Sequence, residues 1–244
     1  MLSVEHSFAL CNNFLRCVGG RTLMGMVAAD QHSLASRHSL RPGLFRRVVA
    51  AVLRAYMRVY HRLELHGAEN LPPHGPALVL VNHASLLDVP ALMAVDPYPD
   101  TTVVAKASLF KVGLVRKVLE QWGAIPVERQ GRDMAGVRAL LGVLRAGRVL
   151  AVAAEGRRTR DGHLQPINPV LAKIATAAEV PLIPVGIAGS YAALPPGAVF
   201  PRPKKLIVRV GKPFRLPPRT DVEVAAKRIR EEIAKLLPPE QQPV

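Results

Sequence analysis

Seven short runs rich in β-branched residues alternate with longer stretches of helical periodicity, and this alternation constrains the chain more than any other feature. The runs are RLELHG (62–67), ALVLVN (77–82), TTVVAK (101–106), AIPV (124–127), RVLAVAA (148–154), PLIPVGIAG (181–189) and KLIVRVG (205–211). Helical stretches fall near 87–95, 109–121, 132–146, 168–179 and 220–237. Apolar runs this continuous suit strands covered on both faces. The pattern predicts an α/β domain, a largely parallel or mixed β-sheet flanked by helices. No longer period points to a solenoid. The last helical stretch, DVEVAAKRIREEIAKLL, is amphipathic and has Asp221 placed to cap its start. A chain of 244 residues suits one large domain, or one domain plus a small appendage.

Charge narrows the partners. Lys and Arg number 33 against 18 Asp and Glu, a formal net charge of +15, which predicts nucleic acid, an acidic membrane leaflet or a phosphorylated substrate. Nucleic acid is the weakest of these. With 4 Tyr, 6 Phe and 1 Trp there is little to stack bases on, and no helix-turn-helix, zinc-finger or RRM signature occurs. Cys11 and Cys17 form neither a disulfide framework nor a metal site, which fits a reducing compartment. Glu5 stands where a secretory signal would be basic, and no apolar run is long enough to span a bilayer.

Residues 1–40 read as a poorly organised N-terminal segment, and 61–244 as the α/β domain. Between them, 41–60 contains LFRRVVAAVLRAYMRVY, on which Arg47, Arg54 and Arg58 fall within about 40° of one another on a helical wheel. A basic amphipathic helix of this kind can lie in the headgroup region of an anionic membrane. An ordinary helix packed on the domain is the alternative.

The chemistry concentrates in VLVNHASLLDVP (79–90). An apolar strand ends at Asn82, and Pro90 suits the first turn of a helix, so His83 falls in a strand-to-helix turn. Open α/β sheets bind ligands at that edge. Asp88, five residues on, can fold back to accept from His83 Nδ1 and leave Nε2 as a base, or it can cap the helix, as can Ser85. Neither a G-x-S-x-G elbow nor a phosphate-binding glycine loop accompanies the pair, so it would act on a substrate hydroxyl directly. GAIPVERQ (123–130) and AAEGRRTRDGHL (153–164) follow two further strands and bring Arg129, Arg157 and Arg158 to the same edge of a parallel sheet. Converging guanidinium groups beside a glycine turn suit a phosphate.

These blocks, taken in order, resemble a known family. LELHGAENLPPHGPALVLVNHASLLDVP, GAIPVER, EGRRTRDGHL and VPLIPVGI look like the four sequential blocks of the glycerolipid acyltransferases, in particular the 1-acyl-glycerol-3-phosphate (lysophosphatidate) acyltransferases. The resemblance runs from about residue 60 to 215 and includes VRVGKPF. It implies a catalytic HxxxxD pair in His83 and Asp88, and phosphate-site residues in Arg129, Glu155, Gly156 and Arg158. Lys106 resembles a further basic position there, Arg157 adds a charge, and Val180–Val185 would help to shape an acyl pocket.

The implied reaction moves an acyl chain from acyl-CoA or acyl-ACP to the sn-2 hydroxyl of 1-acyl-glycerol-3-phosphate, forming phosphatidic acid. It uses no metal or bound cofactor, and it places the enzyme at the cytoplasmic face of the membrane, peripheral or monotopic. The chain departs from the family at Ala153–Ala154 (usually Phe-Pro), Arg157 (usually Thr), Asn168 (commonly Lys) and Val170 (commonly Gly). Those departures put the acceptor in question, so another lysolipid or hydroxyl acceptor is the alternative substrate. A non-catalytic basic protein binding lipid or nucleic acid is the more distant one.

Overall fold

The computed structural model describes residues 43–71, 75–95, 101–127 and 134–243. The N-terminal segment 1–40 lies outside them, while Leu40–Val244 forms one compact unit.

All seven runs form strands: β1 (Glu64–His66), β2 (Ala77–Val81), β3 (Thr102–Lys106), β4 (Ile125–Val127), β5 (Val149–Ala153), β6 (Leu182–Ala188) and β7 (Ile207–Val210). They make one sheet in the order β1-β7-β6-β2-β5-β3-β4. Every pairing is parallel except β6 with β7. The helices are α1 (Leu44–Tyr60), α2 (Asp88–Val95), α3 (Gly113–Gln121), α4 (Met134–Arg145), α5 (Pro169–Ala178), α6 (Ser190–Ala193) and α7 (Val222–Ala234). The stretch near 109–121 divides into a 3-10 turn (Ala107–Lys111) and α3, and the four-residue α6 is not evident in the sequence.

Because side chains alternate along a strand, the sheet sorts them into two cores. Leu78, Leu80, Leu150, Val152 and Leu182 meet α4, α5 and α7 through residues such as Leu144, Ile174 and Ile229. Val79, Val81, Ala151, Ile183 and Val185 meet α1 and α2 through Met57, Ala91 and Ala94. Asp221 caps α7 by accepting from the N–H groups of Glu223 and Val224. Pro184 lies in a strand with neighbours on both sides, opposite the end of β7, where its carbonyl accepts from Gly211 N–H at 2.9 Å. At the end of a ladder the missing N–H of proline forgoes little.

The α1 helix is seated on this core rather than standing apart from it. Met57 is fully buried, Arg54 Nε donates to the Ala94 carbonyl at 3.0 Å, and Arg46 donates to the Gln121 carbonyl with its guanidinium 4.9 Å from the centre of the Trp122 ring. The opposite face carries Leu44, Val48, Val52 and Val59 into solvent. Its apolar arc is therefore split, one part packed and one part bare. No described helix is long and apolar enough to cross a membrane.

Asn82 extends β2 by one residue with its side chain. Its Nδ2 donates to the Ile187 carbonyl at 3.1 Å and its Oδ1 accepts from the Ile187 N–H at 2.7 Å. The amide replaces a pair of ladder bonds just before His83. Asn82→Ala leaves both β6 groups buried and unpaired, and should lower unfolding free energy in urea by about 2–4 kcal/mol. An effect below about 0.5 kcal/mol, the range of an ordinary surface substitution, would contradict this account.

Candidate active site

His83 follows β2 at the carboxyl edge of the sheet, and three contacts fix it. Its N–H donates to Glu155 Oε1 at 2.7 Å, its carbonyl accepts from Thr159 N–H at 2.9 Å, and its Nδ1 lies 2.9 Å from Asp88 Oδ2. A carboxylate can only accept, so Nδ1 carries the hydrogen and Nε2 is left with its lone pair. Asp88 is the first residue of α2 and reaches back rather than capping that helix. The same Oδ2 accepts from the N–H groups of Ala84 and Ser85, each at 2.8 Å. Both His83 and Asp88 are buried. One oxygen thus orients the imidazole and closes the turn that presents it. Ser85 Oγ donates to the Leu194 carbonyl at 2.8 Å and anchors the turn to the segment after β6.

Glu155, expected among the phosphate-site residues, places both carboxylate oxygens on main-chain N–H groups. Oε1 accepts from His83 and Oε2 from Gln165 at 3.0 Å. It is buried, and both of its oxygens are taken up by main-chain N–H groups, so it acts as a strut between two loops. Burial pushes its carboxyl up to about 7, against the two amide donors; the Asp88 charge adds to the rise and Arg230 opposes it. Gly156 has φ +73°, and a Cβ there would come within 2.5 Å of Asn168 Nδ2. Asn168, in place of the family's common Lys, caps α5 by accepting from Val170 N–H at 2.8 Å.

The loop from 156 to 168 carries the basic residues. Arg158 and Arg160 flank Thr159, the residue bonded to the His83 carbonyl; Arg157 and Arg160 are exposed and Arg158 is half-buried. Thr159 Oγ1 donates to Asp161 Oδ1 at 2.6 Å, and this bond, with the His163 N–H, holds the Asp161 carboxyl below the ordinary carboxylate range. Lys106 ends β3 and is exposed at the same edge. Arg129 lies outside the described residues. Asn82, Thr159 and Gln165 also support the site, and sequence reasoning passed over them. A polar residue closing an apolar strand, and the T-x-D-G turn, are the signals that could have pointed to the first two.

Beneath this edge, on the face covered by α2, is an apolar pocket lined by residues including Val79, Met93, Val103, Trp122, Val149 and Val185. Val185 pairs with Val81, two residues before His83, while Val149 pairs with Ala77 at the opposite end of β2. The pocket therefore extends along the strands from near His83 toward their amino ends.

Three comparisons bear on the whole. The family model described as Acyltransferase matches residues 62–188, more than half of the chain. A chloroplastic 1-acyl-sn-glycerol-3-phosphate acyltransferase, BAT2, of Brassica napus is 23% identical over 142 residues, covering 57% of this chain and 41% of that protein. Human 1-acyl-sn-glycerol-3-phosphate acyltransferase beta is 31% identical over 127 residues, covering 51% and 45%. The chain spans about half the length of the curated relatives it matches. The crystal structure of PlsC, the 1-acyl-sn-glycerophosphate acyltransferase of Thermotoga maritima, superposes with a TM-score of 0.65 over 86% of each chain at 21% identity, a likeness of fold.

The folded state holds the Glu155 proton more tightly than an unfolded chain, whose carboxyl titrates near 4.5. The stability this gives is complete below about pH 4.5 and is lost as the pH rises to about 7. In urea unfolding, the wild-type advantage over Glu155→Gln should shrink by up to about 3 kcal/mol across that window. A difference independent of pH would overturn the assignment.

Proposed function

The chain belongs to the acyltransferase family, and from that premise we propose that it transfers an acyl chain from acyl-CoA or acyl-ACP to the sn-2 hydroxyl of 1-acyl-glycerol-3-phosphate. The observation that carries the proposal is the His83–Asp88 pair, buried at the carboxyl edge with Nε2 left basic. His83 Nε2 takes the proton of the acceptor hydroxyl as its oxygen attacks the thioester carbonyl. The tetrahedral intermediate then collapses, the C–S bond breaks, and the imidazolium returns its proton to the leaving thiolate. Asp88 stabilises the imidazolium and keeps the ring oriented, the logic of the histidine–aspartate half of a catalytic triad.

Arg158 and, from its place in the sequence, Arg129 hold the acceptor phosphate, with Lys106 and Arg157 adding positive potential. The apolar pocket takes an acyl chain; Val185, from the proline-marked fourth block, is part of its lining. The route calls on no metal or prosthetic group, and the acyl carrier is a co-substrate. The bare face of α1, with exposed Arg47 and Arg58 beside it, rests on the anionic leaflet that supplies the acceptor. This reading places the enzyme on the cytoplasmic face of the membrane as a peripheral or monotopic protein.

Thiol release from palmitoyl-CoA that depends on added 1-acyl-glycerol-3-phosphate is the direct test. His83→Ala should reduce it by about 10²–10⁴-fold; undiminished release would exclude His83 as the base. Release that appears only with a different lysolipid would keep the reaction and change the acceptor. Arg158→Ala should raise the KM for the phosphate acceptor by about tenfold or more, with kcat little altered, as loss of a charge-assisted hydrogen bond predicts. An unchanged KM would remove Arg158 from the phosphate site.

A further inference from the structure

The connection from β6 to β7 contains AVFPRPKK (198–205). Val199 and Phe200 are 80% and 82% exposed, and with Val59 at 81% they are the three barest large apolar side chains among the described residues. Arg202, Lys204 and Lys205 follow immediately and are exposed, Lys205 pairing with Glu64 at 2.7 Å. Two adjacent bare apolar residues beside three cations do not contribute to a core, and a soluble surface offers no reason to keep them there.

The topology fixes where they stand. Strand β6 runs parallel to β2, so its carboxyl end, and the connection leaving it, share the edge that carries His83. Strand β7 returns antiparallel, and β1 pairs parallel with β7, so the C-terminal end of α1 reaches the same edge just before β1. Direct bonds tie these parts together. Tyr60 Oη donates to the Pro201 carbonyl at 2.9 Å, and His61 Nδ1 lies 3.1 Å from the Lys204 carbonyl. Arg202 N–H donates to the Ala193 carbonyl, next to the Leu194 carbonyl held by Ser85 Oγ. The loop thus lies between the end of the bare α1 face and the turn that presents His83.

We propose that Val199 and Phe200 form a wedge that inserts into the acyl region of an anionic bilayer beside the active-site edge, with Arg202 and Lys204 on the lipid headgroups. The occupant is lipid because the apolar pair is followed by cations and its loop is bonded to the C-terminal end of α1, the helix whose outer face leaves Val48, Val52 and Val59 bare. Burying one such aromatic side chain from water is worth enough to change membrane partition by about tenfold or more. The inference rests on the proposed reading only in taking the acceptor to be a membrane lipid.

The test replaces Phe200 with Trp in the full chain, the native Trp122 being fully buried and supplying the baseline emission. The probe is vesicles of phosphatidylcholine and phosphatidylglycerol, with the phosphatidylcholine brominated in its acyl chains. The added emission of Phe200→Trp should be roughly halved by the brominated vesicles. Val224→Trp, exposed at the start of α7 near the opposite edge, should be unaffected. Phe200→Asp should weaken co-sedimentation with the same vesicles by about tenfold. Unquenched emission from protein that sediments with vesicles overturns the wedge, as does failure of the wild type to sediment. A fall from dimer to monomer in Phe200→Asp without vesicles, its vesicle binding unchanged, assigns the pair to a contact between copies and overturns it too. Quenching without acyl transfer leaves the wedge and removes the enzymatic reading, whereas acyl transfer to detergent-dispersed acceptor without quenching does the reverse.

Discussion

A parallel strand that ends in the middle of a sheet leaves main-chain N–H groups with no ladder to join, and the edge that carries the candidate active site is organised around that problem. After Val81, the N–H of His83 goes to Glu155 and those of Ala84 and Ser85 go to Asp88. Two buried carboxyl groups thereby take the place of a neighbouring strand. One of them, that of Asp88, also binds the imidazole. The backbone requirement and the orientation of His83 are therefore met by the same oxygen, so neither can be altered without disturbing the other.

Glu155 belongs to the same frame. The resemblance put it with the phosphate, but its carboxylate ties the turn after β2 to the loop after β5, and Gly156 lets that loop pass close to Asn168. The arginines at 157, 158 and 160 are then carried on a loop fixed at both ends, through Thr159 and through the cap of α5. Positive charge near a proposed phosphate site is placed by hydrogen bonds of neutral neighbours, not by the arginines themselves.

The basic α1 helix shows how a wheel projection can be right about composition and incomplete about faces. Its apolar residues are too widely spread for one interface, and the structure gives them two. Met57 is packed into the core while Val48, Val52 and Val59 are left bare. Arg46 lies over Trp122 and Arg54 is bonded to the end of α2, so two of its arginines serve packing. The C-terminal end of α1, the loop at Val199–Phe200 and the His83 turn are tied together at one sheet edge.

Much of this was legible in the residues. The runs of the central strands β2, β5 and β6 were legible because burial on both faces demands unbroken apolar sequence, and the His83–Asp88 pairing because four intervening residues are enough for a turn to close. The cap at Asp221 was legible because capping is local. The partners of Asn82, Glu155 and Thr159 were not: they lie across the sheet at separations of 105, 72 and 76 residues, the last counted from His83 to Thr159. Sequence by itself determined what depends on short spacing and on hydrophobic period. Only the tertiary structure decided which distant N–H groups needed a carboxylate and which apolar side chains were left without cover, because strand order and direction set those neighbours.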